Sequence, residues 1–176
     1  MIYLVRHGEA AAAWGNHPDP GLSETGTVQA SAAARRLIDL GATQAITSPM
    51  QRCRETAAPF EALTGHAARV EPAVSEIVTP DGIEDRVSWL METMSGDWPA
   101  SLIMWRRDVV DAVRTLPDQT VVFSHFIAIN AVVSAITGSN KVIAFRPQNA
   151  SITTLKRDGD ELLVEGFGRE GDSQVL

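Results

Sequence analysis

A three-layer α/β/α fold with a mostly parallel central sheet is predicted by three features of the sequence. The runs "IYLV" at residues 2–5 and "TVVF" at 120–123 are apolar without polar alternation, as expected of strands covered on both faces. Helix-length segments with apolar residues at helical spacing separate these runs, which is the alternation that builds parallel sheets. Finally, "ASITTL" and "ELLVEGF", joined through Asp158-Gly159, read as a C-terminal hairpin that contributes an antiparallel strand.

Each element has a local reason. The first strand covers residues 2–6, and the Pro, Gly, Asn and Asp density of "WGNHPDPG" marks the loop that follows. Ser23 is a good N-cap for a helix that runs to about Leu40 and stops at Gly41. "AITS" is a second strand, and "SPMQ" predicts a helix opening at Pro49, with Ser48 as cap and Gln51 completing a capping box. Met50, Cys53, Ala57 and Phe60 form that helix's apolar stripe, which sets Arg52 on its flank rather than in the core. Ala68 to Val74 predicts a third strand, interrupted at Pro72. Ile83, Val87, Leu90 and Met94 mark one further helix, and Trp105, Val109, Ala112 and Leu116 another. A last helix spans Ile127 to Ile136 and ends at Gly138.

Composition limits what such a fold can do. A chain of 176 residues, 44% apolar and 21% charged, fits one soluble domain covering 1–176. A net charge of −7 and the lack of any basic run exclude nucleic acid as partner. No stretch approaches the ~18 apolar residues needed to cross a bilayer, and the apolar start is too short for a secretory signal, so the cytoplasm is the expected location. Cys53, the only cysteine, allows no internal disulfide and no thiolate-rich zinc site. Nothing in the sequence sets the oligomeric state.

Parallel sheets bind ligands beyond the carboxyl ends of their strands. Arg6 and His7 follow the first strand, Ser124 and His125 end the "TVVFSH" strand, Arg52 lies in the first turn after the second, and Ser75 and Glu76 follow the third. Guanidinium groups bind phosphate oxygens bidentately, and the helix opened at Pro49 is expected to add its positive end. The expected ligand is a phosphate.

With these residues in place, the chain resembles the histidine phosphatase superfamily, also called the phosphoglycerate mutase-like family. The matching pieces are "LVRHGEA", "GLSETGTVQA", "TSPMQRCRETA", "SEI" around Glu76, "VVFSHF" around His125 and "NASITTL". They span nearly the whole chain in the family's order. The resemblance implies that His7 is the nucleophile, forming a phosphohistidine that water hydrolyses. It implies that Arg6, Arg52 and His125 hold the phosphoryl oxygens and that Glu76 donates the proton to the leaving alkoxide. It implies no metal and no other cofactor. Phe126-Ile127 stands where many members have Gly-Gly, which places Phe126 at the pocket wall as a substrate contact. Members resembling the mutases carry Trp-Asn soon after the first histidine, whereas here Ala13 holds the asparagine's position and Trp14 and Asn16 fall later. Pro80 replaces a glycine found downstream of the acid, where Asp81 and Glu84 are competing carboxylates. The segment between Glu76 and His125 is short for the lid of the glycolytic mutases, which favours hydrolysis of a small phosphorylated metabolite or a phosphoprotein. The alternatives are a mutase-like phosphotransferase and a non-catalytic phospho-ligand module.

Other conspicuous residues have plainer readings. His17 and His66 sit in turn-rich segments and read as solvated. Trp89, Trp98 and Trp105 read as packing, with Trp98, beside Pro99, placed to cover a cleft. Cys53 reads as an inert core thiol. A metal held by the two histidines with Glu76 or Asp19 is disfavoured by the neighbouring arginines, which repel a cation.

Overall fold

Strand β1, Ile2–Arg6, is buried along its whole length and sits near the middle of a six-stranded sheet. The structure is a computed structural model that describes residues 1–12 and 18–171. In chain order the remaining elements are α1 Glu24–Asp39, β2 Gln44–Thr47, α2 Gln51–Thr64, β3 Arg69–Val70, α3 Arg86–Ser95, α4 Ile103–Arg114, β4 Thr120–Ser124, α5 Phe126–Thr137, β5 Ile152–Asp158 and β6 Glu161–Gly166. Short 3-10 turns lie at Pro72–Val74 and Ala100–Leu102.

The sheet order is β3-β2-β4-β1-β5-β6. β3, β2, β4 and β1 run parallel, while β5 and β6 form the antiparallel hairpin added beside β1. The alternation of β1 side chains divides the core. Ile2 and Leu4 join Val122, Val109, Val113, Phe126 and Val132 beneath α4 and α5, whereas Tyr3 and Val5 join Phe123, Leu37, Ala57 and Phe60 beneath α1 and α2. Both faces are therefore covered, which is why these strands show no polar alternation.

Several local expectations hold. Ser23 caps α1 by accepting from the Gly26 N–H at 3.0 Å, and Gly41 follows the helix at φ +80°. Gly138 ends α5 in the left-handed region at φ +72°, and Gly159 turns the hairpin at φ +59°. Gly26 is required for a different reason. A Cβ there would overlap the Glu9 carbonyl, so the turn after β1 packs directly on the backbone of α1.

Three expectations need correction. Helix α2 starts at Gln51 with Met50 as N-cap, not at Pro49. Ser48 accepts from the Met50 N–H at 3.3 Å, but Gln51 turns to Glu55 at 2.7 Å instead of closing a capping box. Asp19 supplies the missing acceptor, taking the Gln51 N–H at 2.9 Å. The third strand keeps only Arg69–Val70, because Pro72 has no N–H for a ladder and opens a 3-10 turn capped by Glu71. Helix α3 begins at Arg86 under an Asp85 cap, which leaves Ile83 outside it, and of the predicted stripe only Leu90 is buried.

Candidate active site

Register brings the two histidines together. Arg6 pairs with Ser124 across the parallel β1–β4 ladder, so the residues that follow, His7 and His125, leave adjacent strands at the same level. The His7 N–H extends the ladder by one bond, donating to the Ser124 carbonyl at 2.9 Å. The two imidazoles meet edge to face, with ring centroids 5.3 Å apart. Neither the spacing of 118 positions nor the intervening sequence shows this; the strand order does.

Arg52 is 5% exposed, correcting its expected place on the helix flank. Its Nη2 lies 3.2 Å from His125 Nδ1 and 3.3 Å from Met50 Sδ. The turn that carries it is tied to the first histidine's loop: Thr56 Oγ1 donates to the Arg52 carbonyl at 2.6 Å and accepts from the Gly8 N–H at 3.0 Å. Arg6 Nη1 donates to the Pro147 carbonyl at 2.9 Å, and its guanidinium carbon stands 5.0 Å from the centre of the Phe126 ring. Phe126, 2% exposed, is thus a floor under Arg6. Burial lowers the Arg6 pKa to about 10, with Glu76 opposing and Arg52 adding to the shift, so Arg6 remains a cation at neutral pH.

The imidazoles are held neutral. Burial, then the guanidiniums of Arg52 and Arg6, lower His7 to about 3, against a raising contribution from the Gly8 carbonyl. His7 Nδ1 lies 2.7 Å from that carbonyl and donates to it, which leaves the Nε2 lone pair as the reactive position. Burial also drives His125 well below its ordinary value, followed by His7, Arg52 and Arg6. Its Nε2 is 2.8 Å from Ser48 Oγ and 3.3 Å from Cys53 Sγ.

Glu76 belongs to the same electrostatic cluster, since Arg52 and Arg6 both act on it. Its carboxylate accepts the Ile77 N–H at 3.1 Å and, at the start of α5, the Ile127 N–H at 3.0 Å. Burial raises its pKa in spite of those two bonds and the two cations. The helix starts at this edge are therefore engaged by the chain's own carboxylates, Asp19 on α2 and Glu76 on α5, where the sequence suggested a free positive end at Pro49.

Residues 147–151 close the back of the site and carry features that escaped the sequence reading. Ala150 sits at φ +54° and its N–H is shared between the Arg6 and His7 carbonyls, at 2.9 and 3.2 Å. Asn149 Nδ2 donates to the His7 carbonyl at 3.2 Å. Only the quoted "NASITTL" pointed here. Ser48 and Thr56 were also passed over as site residues, being small hydroxyls inside an apolar helix-and-strand pattern.

The remaining candidates lie elsewhere or fall out of view. Cys53 is buried and burial pushes its thiol up, yet its sulfur contacts the site histidine. Trp98 packs inward, donating from Nε1 to Ser134 Oγ at 3.0 Å, and does not cover the cleft. His66, Asp81 and Glu84 are exposed. Ala13, Trp14, Asn16 and His17 lie outside the described residues. Among the described residues no three His, Cys, Asp or Glu side chains converge as metal ligands, and no helix is long and apolar enough to cross a membrane.

Buried guanidiniums and neutral imidazoles at the carboxyl edge of a parallel sheet equip an α/β protein to bind an oxyanion. The chain belongs to the histidine phosphatase superfamily, whose branch 1 model matches residues 2–169. It is 27% identical to a probable phosphoglycerate mutase, GpmB, of Erwinia tasmaniensis, over 95% of this chain and 89% of that protein. It is 37% identical to a probable phosphatase of Schizosaccharomyces pombe over 53% of this chain and 43% of the relative. The solved mycobacterial glucosyl-3-phosphoglycerate phosphatase in complex with VO3 superposes with a TM-score of 0.75 at 21% identity, covering 94% and 97% of the two chains.

Proposed function

We propose that residues 1–176 form one catalytic domain that hydrolyses phosphomonoesters through a phosphohistidine on His7. The observation that carries this reading is the convergence on one mouth of a neutral His7 with Nε2 available, two guanidiniums and a carboxylic acid of raised pKa. His7 Nε2 attacks phosphorus, the P–O ester bond breaks, and the leaving alkoxide takes its proton from Glu76. Water then attacks the phosphohistidine, gives its proton to the Glu76 carboxylate, and inorganic phosphate departs. Arg6, Arg52 and His125 hold the equatorial oxygens while charge spreads over them. Phe126 acts through Arg6, keeping the guanidinium in place from below.

Hydrolysis is favoured over transfer to a second acceptor because most of the chain between Glu76 and His125 is taken up by α3, a 3-10 turn, α4 and β4, which leaves little length for an enclosing insertion. The substrate class is a small phosphorylated metabolite or a phosphoprotein. A lone buried thiol suits the reducing cytoplasm, the location proposed.

Rapid quenching into alkali during turnover of a radiolabelled phosphomonoester tests the mechanism. Acid-labile label on His7, absent in His7→Ala, is expected, with phosphate released to water rather than to added acceptor alcohols. Turnover by wild-type protein that never carries label would refute it.

A further inference from the structure

A second group beside His125 controls which of its nitrogens carries a proton. Arg52 approaches Nδ1 at 3.2 Å, and a guanidinium has only donors to offer. Nδ1 must therefore present its lone pair, which leaves the ring proton of the neutral imidazole on Nε2. That nitrogen faces Ser48 Oγ at 2.8 Å, where it donates. Ser48 Oγ also accepts the Met50 N–H at 3.3 Å. The Cys53 thiol passes its hydrogen to the Ser124 carbonyl at 3.4 Å. With the Nε2–H on Ser48 and the Cys53 thiol on the Ser124 carbonyl, both donors find acceptors while Nδ1 takes the Arg52 N–H. The opposite tautomer would set a ring N–H against the Arg52 N–H.

We propose that Ser48 is a positioning residue that, together with Arg52 on the opposite nitrogen, holds His125 in the Nε2–H tautomer, so that an oxyanion bound beside Arg52 and Nδ1 enters together with one proton. A phosphate oxygen facing a bare Nδ1 lone pair is repelled. Binding becomes favourable when Nδ1 gains a proton, drawn from solvent or carried in on the monoanion, and donates it to the oxygen as imidazolium. Ser48 stabilises that imidazolium from the far side by accepting the Nε2–H. The surroundings agree with an uncharged resting ring: Arg52 and Cys53 from α2, Ser48 after β2, Arg6 from β1 and His7 just after it surround it, with Glu76 on the Ile127 N–H two residues along. The cations and burial together depress its pKa. A bound dianion reverses that balance. The inference rests on the phosphatase reading only for the identity of the anion.

Two measurements on the full chain test it. Long-range proton–nitrogen correlation spectra of the 15N-labelled imidazoles report the tautomer directly. Calorimetry of inorganic phosphate binding, in buffers of different ionisation heat at a pH where free phosphate is the dianion, counts protons. The expected results are an Nε2–H His125 without phosphate and uptake of about one proton per phosphate bound. Ser48→Ala should reduce the proton uptake and lower kcat on an alkyl phosphate by about ten- to a hundredfold, the loss of a hydrogen bond to a charged group. Ser48→Thr should restore both. An Nδ1–H ring in the phosphate-free protein, binding without proton uptake, or a Ser48→Ala protein with unaltered proton uptake and kcat would each overturn the proposal, even if His7 labelling proceeds normally. Wild-type protein that binds no phosphate and shows no His7 label would overturn the phosphatase reading and the proton uptake with it.

Discussion

The carboxyl edge of β1, β2 and β4 and the segment after Glu76 meet at Glu76, yet they are built in opposite ways. At the strand ends Arg6, Ser48, Arg52, Ser124 and His125 are buried, and each has a partner fixed by ladder register or by a hydrogen bond. After Glu76 the chain turns outward: Val78 is 80% exposed, Val87 46% and Met91 55%. In the stretch 77–91 Ile77 and Leu90 are buried in the core and Trp89 packs against it, while most of the other side chains face outward. The difference separates two demands on a phosphatase. Holding a phosphoryl group requires cations at fixed positions with their neighbours preorganised, which needs the rigid part of a sheet. Accommodating a leaving group requires surface that can vary without cost to the fold.

The sharpest way to break this comparison is Glu76→Gln, because Glu76 sits on the boundary between the two regions. Hydrolysis of alkyl phosphates should fall by about 10²- to 10⁴-fold, while aryl phosphates with good leaving groups should be little affected. Equal losses on both substrates, read from kcat/KM, would move Glu76 into the phosphate-holding set.

Acid should undo the rigid region first. His7 and His125 titrate near 6.5 when unfolded but much lower when folded, so below pH 6.5 the unfolded chain binds more protons than the native one. Stability is therefore fully present above pH 6.5 and lost on acidification, down to about pH 3 for His7. The slope should reach at most about 1.4 kcal/mol per pH unit for each histidine. Glu76 works in the opposite sense: its raised pKa adds stability below about its folded value and withdraws it as pH rises. Urea unfolding between pH 5 and 8 would show the histidine slope, and His125→Gln should halve it.

Phe126→Leu keeps most of the buried volume and removes the ring under Arg6. Loss of a cation–π contact of about 0.5–2 kcal/mol should raise KM several-fold with a smaller change in kcat. At the small end, Val87→Ser and Met91→Ser should shift stability by no more than about 0.5 kcal/mol, since both side chains are exposed. If the outward region handles the leaving group, these changes should alter relative kcat/KM across a panel of phosphomonoesters. Destabilisation above that range in thermal unfolding would show that the outward face of α3, and not only Trp89, Leu90, Thr93 and Met94, holds the helix.

Legibility followed the range of the interactions involved. Ser23, Gly41, Gly138 and the Asp158-Gly159 turn were readable because caps and turns depend on a few adjacent residues. The start of α2 was misread because its acceptor, Asp19, comes from a loop more than thirty positions earlier. The α3 stripe was misread because apolar spacing specifies a face and does not say whether anything covers it. Arg52 was set on a helix flank by periodicity, and its burial depends on β4 delivering His125 to its guanidinium.

From the sequence alone came the α/β class, the family resemblance and the five catalytic candidates, Arg6, His7, Arg52, Glu76 and His125, since strand hydrophobicity, capping chemistry and short motifs are written in consecutive residues. Tertiary structure decided that β1 and β4 are neighbours in register, that Ser48 and Asn149 stand behind the histidines, and which group His7 Nδ1 and each His125 nitrogen meets. Those outcomes depend on groups dozens of positions apart sharing one buried volume, where each donor must find an acceptor, and no local pattern encodes that pairing.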